Sequence, residues 1–98
     1  MSYDIRFRPE ALADLEDIAD YTIERWGSKQ ARSYISSLGA DIKSLSDFAL
    51  RFPEHEPSGL GLRKMTSGHH LVFYLIDGEI VEIIRILHER IDVGGQIS

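Results

Sequence analysis

The 98-residue chain carries 11 Lys and Arg against 16 Asp and Glu, a formal charge of −5, which is the wrong sign for a domain whose main ligand is a polyphosphate. It has no cysteine, so disulfide frameworks and thiolate zinc sites are excluded, and a reducing cytoplasm is the expected location. Apolar runs such as Leu71 to Ile76 fall far short of the ~20 residues that span a bilayer, and Met1 to Glu10 lacks a signal-peptide core. The charge is uneven: residues 1–59 hold 7 basic and 11 acidic side chains, residues 60–98 hold 4 and 5. No repeat or linker divides the sequence, so residues 1–98 are expected to form a single domain.

Tyr3 to Arg8 alternates Tyr3, Ile5 and Phe7 with Asp4, Arg6 and Arg8, the period of a strand with one buried face. Pro9 suits a first helical turn, and Glu10 suits the positive end of the helix dipole. The first helix then presents Leu12, Leu15, Ile18, Ala19, Thr22 and Trp26 on one side, with Asp14, Glu16, Asp17, Asp20 and Glu24 solvated, and ends at Gly27. Trp26 is expected to anchor the corner. Ser28 caps a second helix whose stripe is Ala31, Ile35, Leu38, Ile42, Leu45 and Ala49, running until Pro53 forbids continuation. So short a link makes the helices antiparallel, and their apolar stripes need a sheet as cover. The second half supplies one: a strand from Leu60 to Thr66, a Ser67-Gly68 turn, a strand from His69 to Ile76, an Asp77-Gly78 type I′ turn, and a strand from Glu79 to His88. The fold class is α+β, two layers in the order βααβββ.

A two-residue Asp-Gly loop would pair Ile76 with Glu79, Tyr74 with Val81, Val72 with Ile83 and His70 with Arg85. One face of the hairpin then carries Leu71, Phe73, Leu75, Ile80, Ile84 and Ile86. The other carries Val72, Tyr74, Ile76, Val81, Ile83 and Leu87, with His70 and Arg85. Both are apolar, yet a single helical layer covers only one, so the other requires a second polypeptide or the chain's own tail. Arg85 within an apolar strand needs a carboxylate, from a partner or from within the chain.

Taken in order, "ALADLEDIADYTIERWG", "ARSYISSL", Gly61-Leu62-Arg63, "GHHLVFYLIDGEIVEIIRILHERID" and the ending Ile86 to Asp92 make the chain resemble the ParE branch of the RelE/ParE toxins over nearly its whole length. Leu75 departs from the basic residue often found after the strand-three tyrosine in that family. The resemblance implies a helical hairpin on a mainly antiparallel sheet. It also implies a ParD-like antitoxin that wraps the toxin as a hetero-oligomer, and DNA gyrase as the poisoned target. On this reading the antitoxin-binding residues are Val72, Tyr74, Val81, Ile83 and Arg85, joined by Tyr34 and Leu38 from the helical hairpin. His88, Arg90 and Asp92 of "LHERID" are assigned to the target surface on the resemblance alone.

The RelE branch instead cleaves messenger RNA on the ribosome. Metal-independent cleavage needs a base, an acid and cations converging on one phosphate. His69, His70, His88, Arg63, Lys64, Arg85 and Arg90 are the candidates, but Arg85 and His88 have opposite parity on an unbroken strand and would point to opposite faces. His69-His70 lacks a third ligand at suitable spacing for zinc. The expectation is a toxin that acts by binding, without catalytic residues, metal, cofactor, membrane or sequence-specific nucleic-acid contact. The alternatives are a ribosome-dependent endoribonuclease and a non-toxic module that only titrates its antitoxin.

Overall fold

The computed structural model describes residues 2–55, 59 and 61–90. The chain runs β1 (Asp4–Phe7), α1 (Pro9–Trp26), α2 (Ser28–Phe48), β2 (Arg63–Ser67), β3 (His70–Asp77) and β4 (Ile80–His88). The strands form one sheet in the order β1-β4-β3-β2, antiparallel except where β1 lies parallel to β4. The helices form the other layer. The α+β, βααβββ architecture read from the sequence is the one observed.

Gly27 alone joins the helices. At φ 89° it adopts a conformation that side-chain-bearing residues resist, donates its N–H to Ile23 O (2.9 Å) and accepts from Ala31 N–H (3.0 Å). The chain therefore reverses within one residue. α2 stops at Phe48, before Pro53, and the Tyr74 hydroxyl donates to Ala49 O at 2.7 Å, which satisfies a carbonyl at the helix end.

The core lies between the helices and one sheet face. Ala11 and Ile18 of α1, and Leu38, Ile42 and Leu45 of α2, pack with Met65, Val72, Tyr74, Val81, Ile83 and Ile86. Each large side chain fully buried here contributes about 1.5–3 kcal/mol relative to exposure.

Both hairpin turns lie one residue later than expected. The loops are Gly68-His69 and Gly78-Glu79, because Ser67 pairs with His70 and Asp77 with Ile80. The glycines (φ 58° and 61°) occupy the first loop position, and no non-glycine residue among those described has positive φ. A type I′ turn needs positive φ at both loop positions; these turns follow the II′ pattern, with glycine first. The register moves accordingly: Tyr74 pairs with Ile83, not Val81, and Ile76 with Val81.

A β-bulge then interrupts β4, so that Phe73 pairs with Arg85, Val72 with Ile86 and His70 with His88. One extra residue reverses the parity of every residue beyond it in the strand. Ile86, expected beside Phe73, joins the helix-side core, whereas Leu87 leaves it.

The back of the sheet is not the bare apolar surface that the sequence suggests. Leu62, Phe73 and Leu87 are buried, Leu71, Leu75, Ile80 and Ile84 are half-buried, and the His55 ring packs edge-on against Phe73, 5.4 Å between centroids. Among the described residues, the exposed large hydrophobic side chains all belong to the helical hairpin and its exit: Leu12, Tyr21, Ile23, Trp26, Phe48 and Leu50.

Candidate functional site

The structure redistributes the residues assigned to antitoxin binding. Val72, Tyr74, Val81 and Ile83 are each 0% exposed, and Leu38 is buried with them. The face assigned to a partner is the face the helices cover, so in this fold a partner reaches these side chains only by displacing a helix. Burial pushes the Tyr74 hydroxyl up to about 12 despite nearby Arg63, so it is a neutral donor tied to Ala49 O. Tyr34 and Arg85, by contrast, border open space.

Arg85 borders a groove between α1 and the last five residues of β4. β1 pairs with β4 only from Asp4↔Ile80 to Phe7↔Ile83, and the last main-chain hydrogen bond on this side among the described residues is Arg8 N–H to Ile83 O at 3.0 Å. The chain then turns up into α1, leaving the outer edge of Ile84–His88 without a neighbouring strand among the described residues. The resulting cavity, about 600 Å³, is lined by Asp14, Asp17, Tyr21, Arg85, His88 and Arg90, with Ile18 and Ile86 at its floor. Arg85 and His88 meet here despite opposite parity because the groove runs along the strand's edge, which side chains of both faces can reach.

Arg85 finds its carboxylate within the chain. Its Nε donates to Asp14 Oδ2 at 2.8 Å and its Nη2 to Asp14 Oδ1 at 3.0 Å, a two-point contact that holds the guanidinium's pKa above its ordinary value. The side chains are 27% and 12% exposed. Glu82, the acid nearest to Arg85 along the strand, pairs with Arg8 at 3.1 Å instead. Asp14 lies on the inward side of α1, not on the solvated side that the helical periodicity predicts. Its position between Ala11 and Ile18, three and four residues away, is the signal that it belongs to the inward stripe.

At its far end the groove opens into a second cavity of about 350 Å³ at the helical corner, lined by Tyr21, Trp26, Gln30, Tyr34 and three histidines. Trp26, expected to be a buried anchor, is 64% exposed, and Tyr21 beside it is 58% exposed. Trp26 is the last residue of α1, so no further turn of the stripe packs beside it, and Tyr21 lies off the buried line through Ile18 and Thr22.

Tyr34 fastens the β2–β3 turn to α2. It accepts from His69 N–H (2.9 Å) and shares a hydrogen bond of 2.6 Å with His70 Nδ1. Gly68 is required here twice over, by its positive φ and because a Cβ would lie 2.7 Å from Tyr34 Oη. Burial first, then the neighbouring His88 and His69, holds the His70 imidazole below its ordinary pKa. His69 Nδ1 bonds Glu89 Oε2 at 2.8 Å, keeping that carboxyl below its usual range, and His88 Nδ1 accepts from Arg90 N–H at 3.2 Å. Of the residues assigned to the target surface, His88 and Arg90 therefore line the groove, while Asp92 lies outside the described residues.

Among the described residues no group of three or more His, Asp or Glu is placed to hold a metal ion, and no helix is long and apolar enough to cross a membrane.

Residues 5–93 match the family described as "ParE toxin of type II toxin-antitoxin system, parDE". The chain is 39% identical over 93 residues to Toxin ParE1 of Caulobacter vibrioides, covering 95% of this chain and 96% of that protein. It is also 39% identical over 90 residues to Toxin ParE of Escherichia coli, covering 91% and 87%. Among solved structures, one described as the chromosomal ParDE TA system from P. aeruginosa superposes with a TM-score of 0.79 at 20% identity, over 89% of this chain and 96% of that one. The toxin-antitoxin complex RelBE2 from Mycobacterium tuberculosis gives 0.66 at 20% identity, over 90% and 99%. Sequence likeness over nearly the full length and the shared architecture agree: the chain belongs to the ParE toxins of type II toxin–antitoxin systems.

Proposed function

We propose that this ParE toxin is neutralised in the cytoplasm by a ParD-like antitoxin seated in the groove between α1 and β4, and that the free toxin inhibits DNA gyrase by binding it. The observation that carries the antitoxin site is that, among the described residues, no strand lies beside the outer edge of Ile84–His88, which exposed Tyr21 and Trp26 flank. An unpaired edge supplies main-chain hydrogen bonds to an extended segment, and exposed aromatic side chains supply anchors. The acidic residues of α1, Asp17 and Asp20 among them, favour a segment rich in Lys and Arg. Val72, Tyr74, Val81, Ile83 and Leu38 act beneath this surface by holding its shape.

The reading of a binder over a nuclease is favoured by how the candidate catalytic groups are occupied. Arg63 Nη1 donates to Phe52 O at 2.6 Å and Arg85 is committed to Asp14. Each of His69, His70 and His88 has one ring nitrogen in an internal hydrogen bond. Cations spent inside the fold are poorly placed to neutralise a phosphate in flight.

Two measurements test these claims separately. Trp26→Ala and Asp17→Lys should each weaken binding of the antitoxin co-expressed with the toxin by about tenfold, whereas Leu50→Ala, far from the groove, should not. Equal affinity for all three variants rejects the groove. For the target, expression of the chain alone should produce loss of supercoiling and double-strand breaks before messenger decay; the reverse order would mark a ribonuclease.

A further inference from the structure

β4 continues past Phe7 from Ile84 to His88 with no strand beside it on the β1 side among the described residues. Peptide N–H groups lie in the plane of the sheet, and alternate residues of β4 turn theirs toward β3 or away from it; the Ile86 N–H, bonded to a side chain of α1, points toward the bare side. It is not left for solvent. Asp14 Oδ2, from α1, accepts it at 2.9 Å, and the same carboxylate is aimed by the two-point contact with Arg85. A side-chain oxygen therefore stands where the carbonyl of an added strand would stand.

The geometry points to Asp14 as the gate of the groove: it caps the open edge of β4, and the antitoxin's extended segment must displace it from Ile86 to pair there. This rests on the proposed antitoxin site and specifies how that site is entered. Proteins commonly blunt an open edge with a charged side chain or a bulge, and this chain has both, since the bulge between Ile83 and Arg85 lies at the start of the bare stretch. The incoming segment is one whose backbone carbonyl replaces the Asp14 oxygen while its basic side chains meet Asp17 and the displaced Asp14.

Two substitutions separate the cap from the charge. Asp14→Asn keeps an acceptor for Ile86 N–H but loses the negative charge; Asp14→Ala loses both. Comparing them cancels the electrostatic attraction of a basic partner and leaves the cap. In the free chain, the Ile86 amide should exchange with solvent about tenfold faster in Asp14→Ala than in Asp14→Asn, with Tyr74 and Ile83 amides unchanged. In stopped flow, monitored by the fluorescence of the single tryptophan, Trp26, the co-expressed antitoxin should associate about threefold or more faster with Asp14→Ala than with Asp14→Asn. The Ile86 amide should be protected again in both complexes. Equal association rates with Ile86 protected in the complex overturn the gate and leave the antitoxin site standing. Exchange at Tyr74 and Ile83 rising in step with Ile86 also overturns it, since Asp14 would then be a brace for the whole fold. An Ile86 amide that stays unprotected in the Asp14→Ala complex overturns the gate and the site together.

Discussion

Tyr74→Phe removes one oxygen and leaves the ring in place, which makes it the sharpest probe of which sheet face is core. The hydroxyl donates to Ala49 O at 2.7 Å, and both residues are almost wholly buried. Without it, the Ala49 carbonyl loses its side-chain partner where water has little access. A neutral hydrogen bond is worth about 1 kcal/mol and an orphaned buried acceptor raises the cost, so a loss of about 1–2 kcal/mol is expected. For a domain near this size each kcal/mol corresponds to about 4–8 °C, so Tm should fall by about 5–15 °C. Urea denaturation should show a lower midpoint at unchanged slope, and antitoxin affinity measured well below the new Tm should be unaltered. A variant as stable as the wild type that has lost antitoxin affinity would refute the burial reasoning, because Tyr74 would then be a contact residue and not a core one.

Arg85→Ala leaves Asp14 without its guanidinium and should lower stability by about 1.5–3 kcal/mol in chemical denaturation, the range for hydrogen bonds to charged groups; a loss within error of zero would show the pair to be slack. Gly68→Ala forces a positive φ on alanine and drives a methyl into Tyr34 Oη, so a cost of about 1–3 kcal/mol is expected together with a shifted His70 imidazole resonance. Stability should also fall in mild acid. The folded state resists protonation of His70, so below its unfolded pKa of about 6.5 the unfolded chain takes up a proton that the native chain refuses, and the loss grows until pH reaches the lowered folded value. Glu89, held low by His69, acts in the same direction, its contribution present above the unfolded carboxylate pKa and lost as pH falls through the folded one. His70→Gln should flatten the dependence between neutrality and pH 5, about the range where histidine titrates; an unchanged slope would place the sensitivity elsewhere.

Elements with strong periodicity are legible in the sequence. Ala31, Leu38, Ile42 and Leu45 fall on one helical face and are buried there, and Gly27 reverses the chain as its position implies. The departures turn on single residues. Asp77-Gly78 reads as a type I′ loop, yet Gly78 takes the first loop position, and that displacement moves every pair of the hairpin. The bulge after Ile83 leaves no signature in a run of isoleucines, so a parity count along the strand misplaces Arg85, Ile86 and Leu87. The turn displacement slides the pairing by two positions and leaves each residue on its expected face, whereas the bulge inserts one residue and exchanges the faces of Arg85, Ile86 and Leu87. Which face the helices cover has no local signal when both are apolar, and the sequence reading assigns the wrong one to Val72, Tyr74, Val81 and Ile83. The site itself is half legible. Arg85 is conspicuous as a charge in an apolar strand, while its partner Asp14 is hidden among the other acids of α1.

The groove assignment is tested most directly by the hydrogen-exchange footprint of the antitoxin on the toxin. The amides of β4 from Ile84 to His88 and the surface of α1 from Asp14 to Trp26 should gain protection in the complex, with little change at Leu71 to Leu75, whose main chain already lies within the sheet. Protection gained instead at the Phe48 to His55 segment, with Ile84 to His88 exchanging as in the free chain, would contradict it.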